Sequence, residues 1–378
     1  MQLSIIILNY NVRYFLEQCI LSAQAAIQNI DAQIIVIDNN SRDDSCEMVK
    51  QHFPNVTLIE NKENTGFPKG NNIGVAAASG EYICILNPDT VVAEDTFTKI
   101  LAFAETQPNL GIVGCKLIDG TGNFLPESKR GLPTPFVAFT KMSGLYKIAP
   151  NSKSFGKYYA SHITADQTGK VDILVGAFML MKKKLYQEIG GFDERYFMYG
   201  EDIDLCYSVL KSGRRNYYFH ETTVIHYKGE STVKDKTYMK RFKQGMDLFY
   251  EKHFRKPFLF SVFMQLGMLF FSLAKMFQGK PKKKPVPQNY ILVTQDPDPE
   301  ILNTLSQKLN ATVAYNEKAN SSKKTAYIID ISSIGFKEAI SLMERNTNRN
   351  STFRMLLKKS KFVIGSDSSN DKGEVIKL

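Results

Sequence analysis

Tyr82-Ile83-Cys84-Ile85-Leu86-Asn87-Pro88-Asp89-Thr90 decides how this chain is read. The apolar run, bounded by a turn signal, reads as a strand buried on both faces, and Asn-Pro-Asp-Thr as the turn at its carboxyl end. In open α/β sheets ligands bind outside the carboxyl ends of the strands, which places Asp89 at a cleft. A carboxylate there can hold a divalent cation that neutralises a diphosphate. It can also close an Asx turn on nearby backbone amides. On this stretch alone the turn is the simpler reading, and the flanking sequence reverses that order.

Upstream, Leu3-Ser4-Ile5-Ile6-Ile7-Leu8 is apolar and β-branched, as a covered parallel strand should be, and Asn9-Tyr10-Asn11 ends it. Residues 13–28 carry helical spacing (Phe15, Cys19, Ile20, Ala23, Ile27). Gln33–Ile37 is a second strand with Asp38-Asn39-Asn40-Ser41 at its carboxyl end, and 43–52 a helix capped near Ser41 or Asp43. Val56–Ile59 predicts a third strand and 71–79 a helix of small residues. This alternation predicts a mainly parallel central sheet with helices on both faces and right-handed crossovers. Thr65-Gly66-Phe67-Pro68-Lys69-Gly70 is neither a Walker loop, which needs Gly-Lys-Ser/Thr, nor a dinucleotide fingerprint, which should follow the first strand. Phosphate contact through Lys69 and a plain surface turn both remain open.

Downstream, 94–105 reads as a helix and Gly111–Ile118 as a strand, and 119–168 weakens into a long loop suited to a lid or acceptor-side segment. Val171–Met181 predicts another strand. Glu201, Asp202 and Asp204 then crowd three carboxylates into the first turn of a helix over 202–211, where the helix dipole favours negative charge. Capping explains one of them, and the excess favours a site. After a strand at 216–219, Val224-Ile225-His226-Tyr227 places a histidine at another strand end.

Length allows two or more domains, and 43% hydrophobic with 23% charged residues allows a sizeable core. The net charge of +10 points to an anionic partner: nucleotide phosphates, an anionic membrane or nucleic acid. Five cysteines without a CxxC pair read as reduced thiols of a cytoplasmic protein. Leu3–Leu8 is too short for a signal-peptide core. From 236 to 256 aromatic and basic residues interleave, and 257–274 carries no charge. Ser261, Gln265, Ser272 and Lys275 share one helical stripe with basic flanks at both ends. An interfacial helix on an anionic leaflet fits this better than a span or a soluble packing helix. A basic, proline-rich linker follows, then a pattern of strands (290–294, 326–330, 361–365) and helices (299–309, 335–345) without a chemical motif; Asp296, Asp298 and Asp367 read as solvated turns. The expected division is 1–235 for the main domain, 236–279 for membrane-associating helices, 280–289 for the linker and 290–378 for a small α/β domain.

Assembled, these segments resemble the family 2 glycosyltransferases of GT-A fold, in the branch of bacterial cell-surface rhamnosyltransferases and related enzymes. The resemblance rests on Ser4–Asn11, Val36–Ser41, Asn64–Phe67 with Asn72 and Gly74, Leu86–Thr90, Gly190–Glu194, Gly200–Leu205 and His226–Thr232, in order over roughly residues 1–255. It implies an inverting transfer from a nucleotide-diphosphate sugar, a UDP- or dTDP-sugar, to a glycan or lipid-linked acceptor at the inner face of the membrane. Tyr10 and Asp38 would hold the base, with Asn9, Asn11, Asn40, Gly66, Phe67, Lys69 and Asn72 completing the nucleotide site. Asp89 and His226 would bind Mg2+ or Mn2+, with Asn87 beside them. Asp202 would be the general base, and Glu201 and Asp204 would shape its site. The chain departs from the family where Asn87 replaces an aspartate, removing one charge from the metal set, and where Ser208 replaces an arginine.

Three rival readings are weaker. A nucleotidyltransferase needs an early glycine-rich basic loop, where this chain has Asn9-Tyr10-Asn11-Val12. A non-catalytic, membrane-bound sugar-nucleotide-binding subunit leaves Asp89, Asp202 and His226 together unexplained. Nucleic-acid binding explains the charge but has no reader motif.

Overall fold

The computed structural model describes residues 1–134, 137, 156–228, 236–254, 287–316, 324–347, 351–368 and 372–378. The charge-free stretch 257–274, the linker up to residue 286 and the centre of 119–168 lie outside the described residues.

β1 (Leu3–Asn9), α1 (Arg13–Ala26), β2 (Ala32–Asp38), α2 (Ser45–His52), β3 (Thr57–Glu60), α3 (Gly66–Ala77) and β4 (Tyr82–Leu86) alternate as the hydrophobic pattern predicts. β1 pairs in parallel with β2 and β4, and β2 with β3. Both faces are covered: Ile5 and Ile7 join one core cluster, and Ile6 joins another on the opposite side. That is why these strands are continuous apolar runs rather than alternating ones.

The chain continues through β5 (Thr90–Val91), α4 (Thr96–Glu105), β6 (Leu110–Ile118), β7 (Gly169–Val171), β8 (Phe178–Lys182), α5 (Lys183–Glu188), α6 (Glu201–Lys211), β9 (Arg215–His226) and α7 (Lys236–His253). The sheet runs β3-β2-β1-β4-β8-β6-β9-β5, with β7 also on β9. It is mixed: β8 lies antiparallel between β4 and β6, β9 runs parallel to β6, and β5 closes the edge antiparallel to β9.

Three expectations change. Thr65–Gly70 is no loop, because α3 begins at Gly66 and carries Pro68 in its first turn, where proline is tolerated. Its glycines serve packing: a Cβ at Gly70 would meet the Leu8 side chain at 2.4 Å, and one at Gly74 would meet Ile37 at 2.4 Å. The expected strand 171–181 divides into β7 and β8. The strands at 216–219 and 224–227 are one strand, β9, whose register on β6 shifts between Cys115 and Lys116.

A second sheet, β11-β10-β12-β13-β14-β15, is built from β10 (Asn289–Val293), β11 (Val313–Tyr315), β12 (Thr325–Asp330), β13 (Ser351–Leu357), β14 (Phe362–Gly365) and β15 (Glu374–Lys377). α8 (Pro299–Leu309), α9 (Ile331–Ile334) and α10 (Phe336–Asn346) accompany it. The first four strands in the order are parallel. Asp298 caps α8 by accepting from Glu300 and Ile301 amides, and Asp367 pairs with Arg354, so neither is a bare solvated turn. Among the described residues no helix is long and apolar enough to cross a membrane.

Candidate active site

The parallel strands β1, β2 and β4 deliver their polar ends to one edge of the sheet. Asn9 and Asp38 are register partners, and Ile7 pairs with Leu86, so the Asn87–Asp89 turn emerges beside Asn9. Asp38, 2% exposed, accepts from Asn9 Nδ2 at 2.8 Å and from the Ser41 amide at 2.8 Å. Ser41 Oγ in turn accepts from Asn9 Nδ2 and the Asn11 amide. Asn11 and Asn40 take left-handed backbone (φ 55° and 64°), which asparagine tolerates, and both are exposed at this edge beside half-buried Tyr10. Asn39 stands at the centre of the next layer. It donates to Asn64 Oδ1 and the Gly66 carbonyl, and accepts from Asn61 and Thr65. Sequence reading passed over Asn39, whose partners lie 22 or more residues away.

The turn after β4 meets the end of β9. Thr90 pairs with His226 and Val91 with Ile225, and the Tyr227 amide donates to the Asp89 carbonyl. His226 Nε2 therefore sits 3.4 Å from Asp89 Oδ1 and 3.4 Å from Asn87 Nδ2. Asp89 and His226 are 5% and 7% exposed. Asn87 Oδ1 is buried without a hydrogen-bond partner. A carboxylate oxygen and an imidazole nitrogen thus meet beside the Asn87 side chain, whose nitrogen faces His226 and whose oxygen has no partner. Among the described residues no three His, Cys, Asp or Glu side chains cluster as a metal site. The set here is two such ligands and an amide, which suits a divalent ion that takes its remaining ligands from substrate phosphates. Beside it Glu127 pairs with Lys228. Burial pushes the Glu127 carboxyl up, yet the Lys228 ammonium and the nearby His226 leave it below its ordinary value.

The three carboxylates of α6 separate into three environments. Asp202 is half-buried, takes the Ile203 amide on Oδ1, and pairs through Oδ2 with Arg130 Nη2 at 2.5 Å. Arg130 is fixed by two backbone hydrogen bonds to Ile173 and also donates to the Leu174 carbonyl. Burial alone would lower the guanidinium, and Asp202 reverses this and raises it. Gly176 leaves the approach to Asp202 open: a Cβ there would lie 3.5 Å from Asp202 Cβ and 3.6 Å from the Phe67 ring. Glu201 is 7% exposed with one oxygen unpartnered; burial first, then the Asp202 charge, pushes its carboxyl up to about 8. Asp204 is buried and has partners of its own. It holds Lys252 at 2.8 Å and His253 at 2.7 Å, fastening α7 to α6, so it shapes the scaffold rather than the cleft.

Asn72 is likewise taken up by structure. Its side chain binds Tyr186, the Phe192 carbonyl and Glu194, pinning the Gly190–Glu194 turn onto α3. The expected nucleotide role gives way to that pin. Gly66 (φ 81°) permits the same docking, since a Cβ would come within 2.6 Å of the Phe197 carbonyl. Phe67 packs edge-on to Phe192, and Lys69 is exposed. Arg130 is the residue beside Asp202 that sequence reading missed. Its partner lies 72 positions away, and it sits in a stretch read as a loop.

Comparison with known proteins places this arrangement. The family model described as glycosyl transferase family 2 matches residues 4–190, from β1 through the Asn87–Asp89 turn and ending ahead of α6. The rhamnosyltransferase WbbL of Escherichia coli (strain K12) is 30% identical over 217 residues, covering 53% of this chain and 76% of that protein. The N-acetylglucosaminyl-diphospho-decaprenol L-rhamnosyltransferase of Mycobacterium tuberculosis (strain ATCC 25618 / H37Rv) is 27% identical over 244 residues, covering 62% and 78%. Among solved structures, the mannosyltransferase PcManGT from Pyrobaculum calidifontis shares 17% identity and a TM-score of 0.48 over 74% of this chain and 76% of that one. The chain belongs to glycosyl transferase family 2 and is a glycosyltransferase of glycan synthesis.

Proposed function

We propose that the chain is an inverting glycosyltransferase that moves a sugar from a UDP- or dTDP-sugar to a glycan or lipid-linked acceptor in cell-surface polysaccharide synthesis. The observation that carries this reading is the approach of Asp89 and His226 to 3.4 Å beside Asn87, whose amide oxygen is buried without a partner, at the ligand edge of the sheet. A Mg2+ or Mn2+ held by these three would offset the charge of the leaving diphosphate. The relatives favour the same class: two are named rhamnosyltransferases, and the name of one places its acceptor sugar on decaprenyl diphosphate.

The chain's own groups supply the remaining work. Asp38 uses one lone pair on each oxygen internally and keeps others for a pyrimidine N–H, with Tyr10 alongside. Asp202, held by Arg130, accepts the proton of the acceptor hydroxyl. The acceptor oxygen bonds the anomeric carbon as the bond from that carbon to the diphosphate oxygen breaks on the opposite face. One base and one displacement give inversion. The net charge of +10 supports work at an anionic membrane surface on the cytoplasmic side. Replacing Asp202 with Asn should abolish transfer and leave donor binding near wild type, measured by product formation and by calorimetry. Equal loss of both would remove Asp202 from the role of base.

A further inference from the structure

The second sheet is joined to the strands that carry the cation ligands. One continuous apolar core contains Val91 of β5, Ile225 of β9 and Tyr227 just after it, together with Phe336, Met343 and Phe353 from the second domain. β5 is two residues long and lies at the sheet edge, paired with β9 alone in that sheet. Such a strand has little pairing of its own to hold it in place. The strand and the residues after it divide their burial: Val91 and Ala93 belong to the shared core, and Val92 to the core under α1 and α4.

Polar contacts fix the same joint. Glu94, five positions after Asp89, accepts the Phe336 amide at 2.7 Å and the Lys337 amide at 2.6 Å, capping α10 from the other domain. Asp95 pairs with Lys337 at 2.7 Å. Glu344 of α10 reaches back to Lys116 at 3.0 Å and to Thr223 of β9 at 3.2 Å. The backbones also approach closely: a Cβ at Gly120 would lie 2.6 Å from the Ser366 carbonyl, and one at Gly122 2.6 Å from that of Met343.

We propose that the second α/β domain is a positioning element for the cation cradle, its docking holding β5 and the end of β9 so that Asp89 and His226 face each other. This rests on the reading of those two residues as cation ligands. It gives residues 289–377 a part in the transferase itself, not in a separate tethered activity.

The test uses the full-length chain and Mn2+ with whichever of UDP, dTDP or GDP wild type binds best. Nucleotide affinity is measured by calorimetry with Mn2+ and again in EDTA, alongside thermal melts. Two variants open the joint without touching a cradle residue: Glu94→Ala removes the cap, and Met343→Asp puts a charge into the shared core. The expected result is that the gain in affinity from Mn2+ falls about fivefold or more in each folded variant, the factor that goes with losing one cap. Affinity in EDTA stays at the wild-type value, because Asp38 and Asn9 are held by each other and by Ser41. Should Met343→Asp not fold, Glu94→Ala carries the test. Folded variants with the full Mn2+ gain overturn this proposal alone, and a wild-type chain with no Mn2+ gain overturns it together with the cradle reading.

Discussion

Replacing Arg130 with Met isolates the interaction that sequence reading did not anticipate. The guanidinium and Asp202 are 11% and 15% exposed, with Nη2 and Oδ2 at 2.5 Å. Methionine keeps most of the apolar stem and removes the charge. Asp202 is then left with the Ile203 amide and no cation. Breaking a buried pair from one side costs about 3–5 kcal/mol, because the surviving charge stays desolvated. The residual exposure of Asp202 lets water relieve part of that, so we expect the low end, about 3 kcal/mol. At roughly 2–4 °C per kcal/mol for a body of this size, the melting temperature should fall by about 6–12 °C. The assay is a double-mutant cycle of thermal and urea unfolding with Arg130→Met, Asp202→Asn and both. The double variant contains no unpaired charge and should recover more than half of the loss in Arg130→Met. A loss below about 1 kcal/mol, the range of exposed pairs, would refute the reasoning. So would a double variant no more stable than Arg130→Met.

Two further predictions concern neighbouring groups. Burial and Asp202 hold the Glu201 carboxyl above its unfolded value of 4.5, at about 8. Its proton is therefore kept on folding, and the stability this confers is full below the unfolded value and lost as pH rises through the folded one. Melts of Glu201→Gln from pH 5 to 9 should show a flatter decline than wild type, and an unchanged slope would contradict the buried, protonated assignment. Asn87→Asp adds a second carboxylate to the cradle, which should tighten Mn2+-dependent nucleotide binding about tenfold or more, since a carboxylate is a far better hard-cation ligand than an amide. Weaker binding by calorimetry would show that Asn87 Oδ1 does not face the ion.

Much of the main domain was legible because its strands are buried on both faces. Ile5-Ile6-Ile7 and Tyr82–Leu86 have one reading whatever surrounds them. Two elements were not legible: β5, two residues at the sheet edge, hides inside what reads as a turn, and the interior strand Ser351–Leu357 follows a polar run and carries Arg354 at its centre. Gly66 and Pro68 suggested a loop because both punctuate chains locally. Here they open a helix whose close approach to the sheet demands small residues.

Within the site, strand-end positions such as Asp38, Asp89 and His226 could be named from pattern and resemblance, since topology gathers strand ends. The separate tasks of Glu201, Asp202 and Asp204 could not. They share one helical turn, and what distinguishes them is the burial around Glu201, Arg130 from a distant segment, and the Lys252–His253 pair on α7. Asn72 was misread for the same reason, its partners lying in the Gly190–Glu194 turn.

The most direct test of the proposed chemistry is calorimetric titration of the full chain with UDP, dTDP and GDP, with and without Mn2+. The account predicts that one pyrimidine nucleoside diphosphate binds, that Mn2+ strengthens it, and that Asp89→Ala abolishes the strengthening. A folded chain that binds none of the three, or binds one equally well in EDTA, would contradict it.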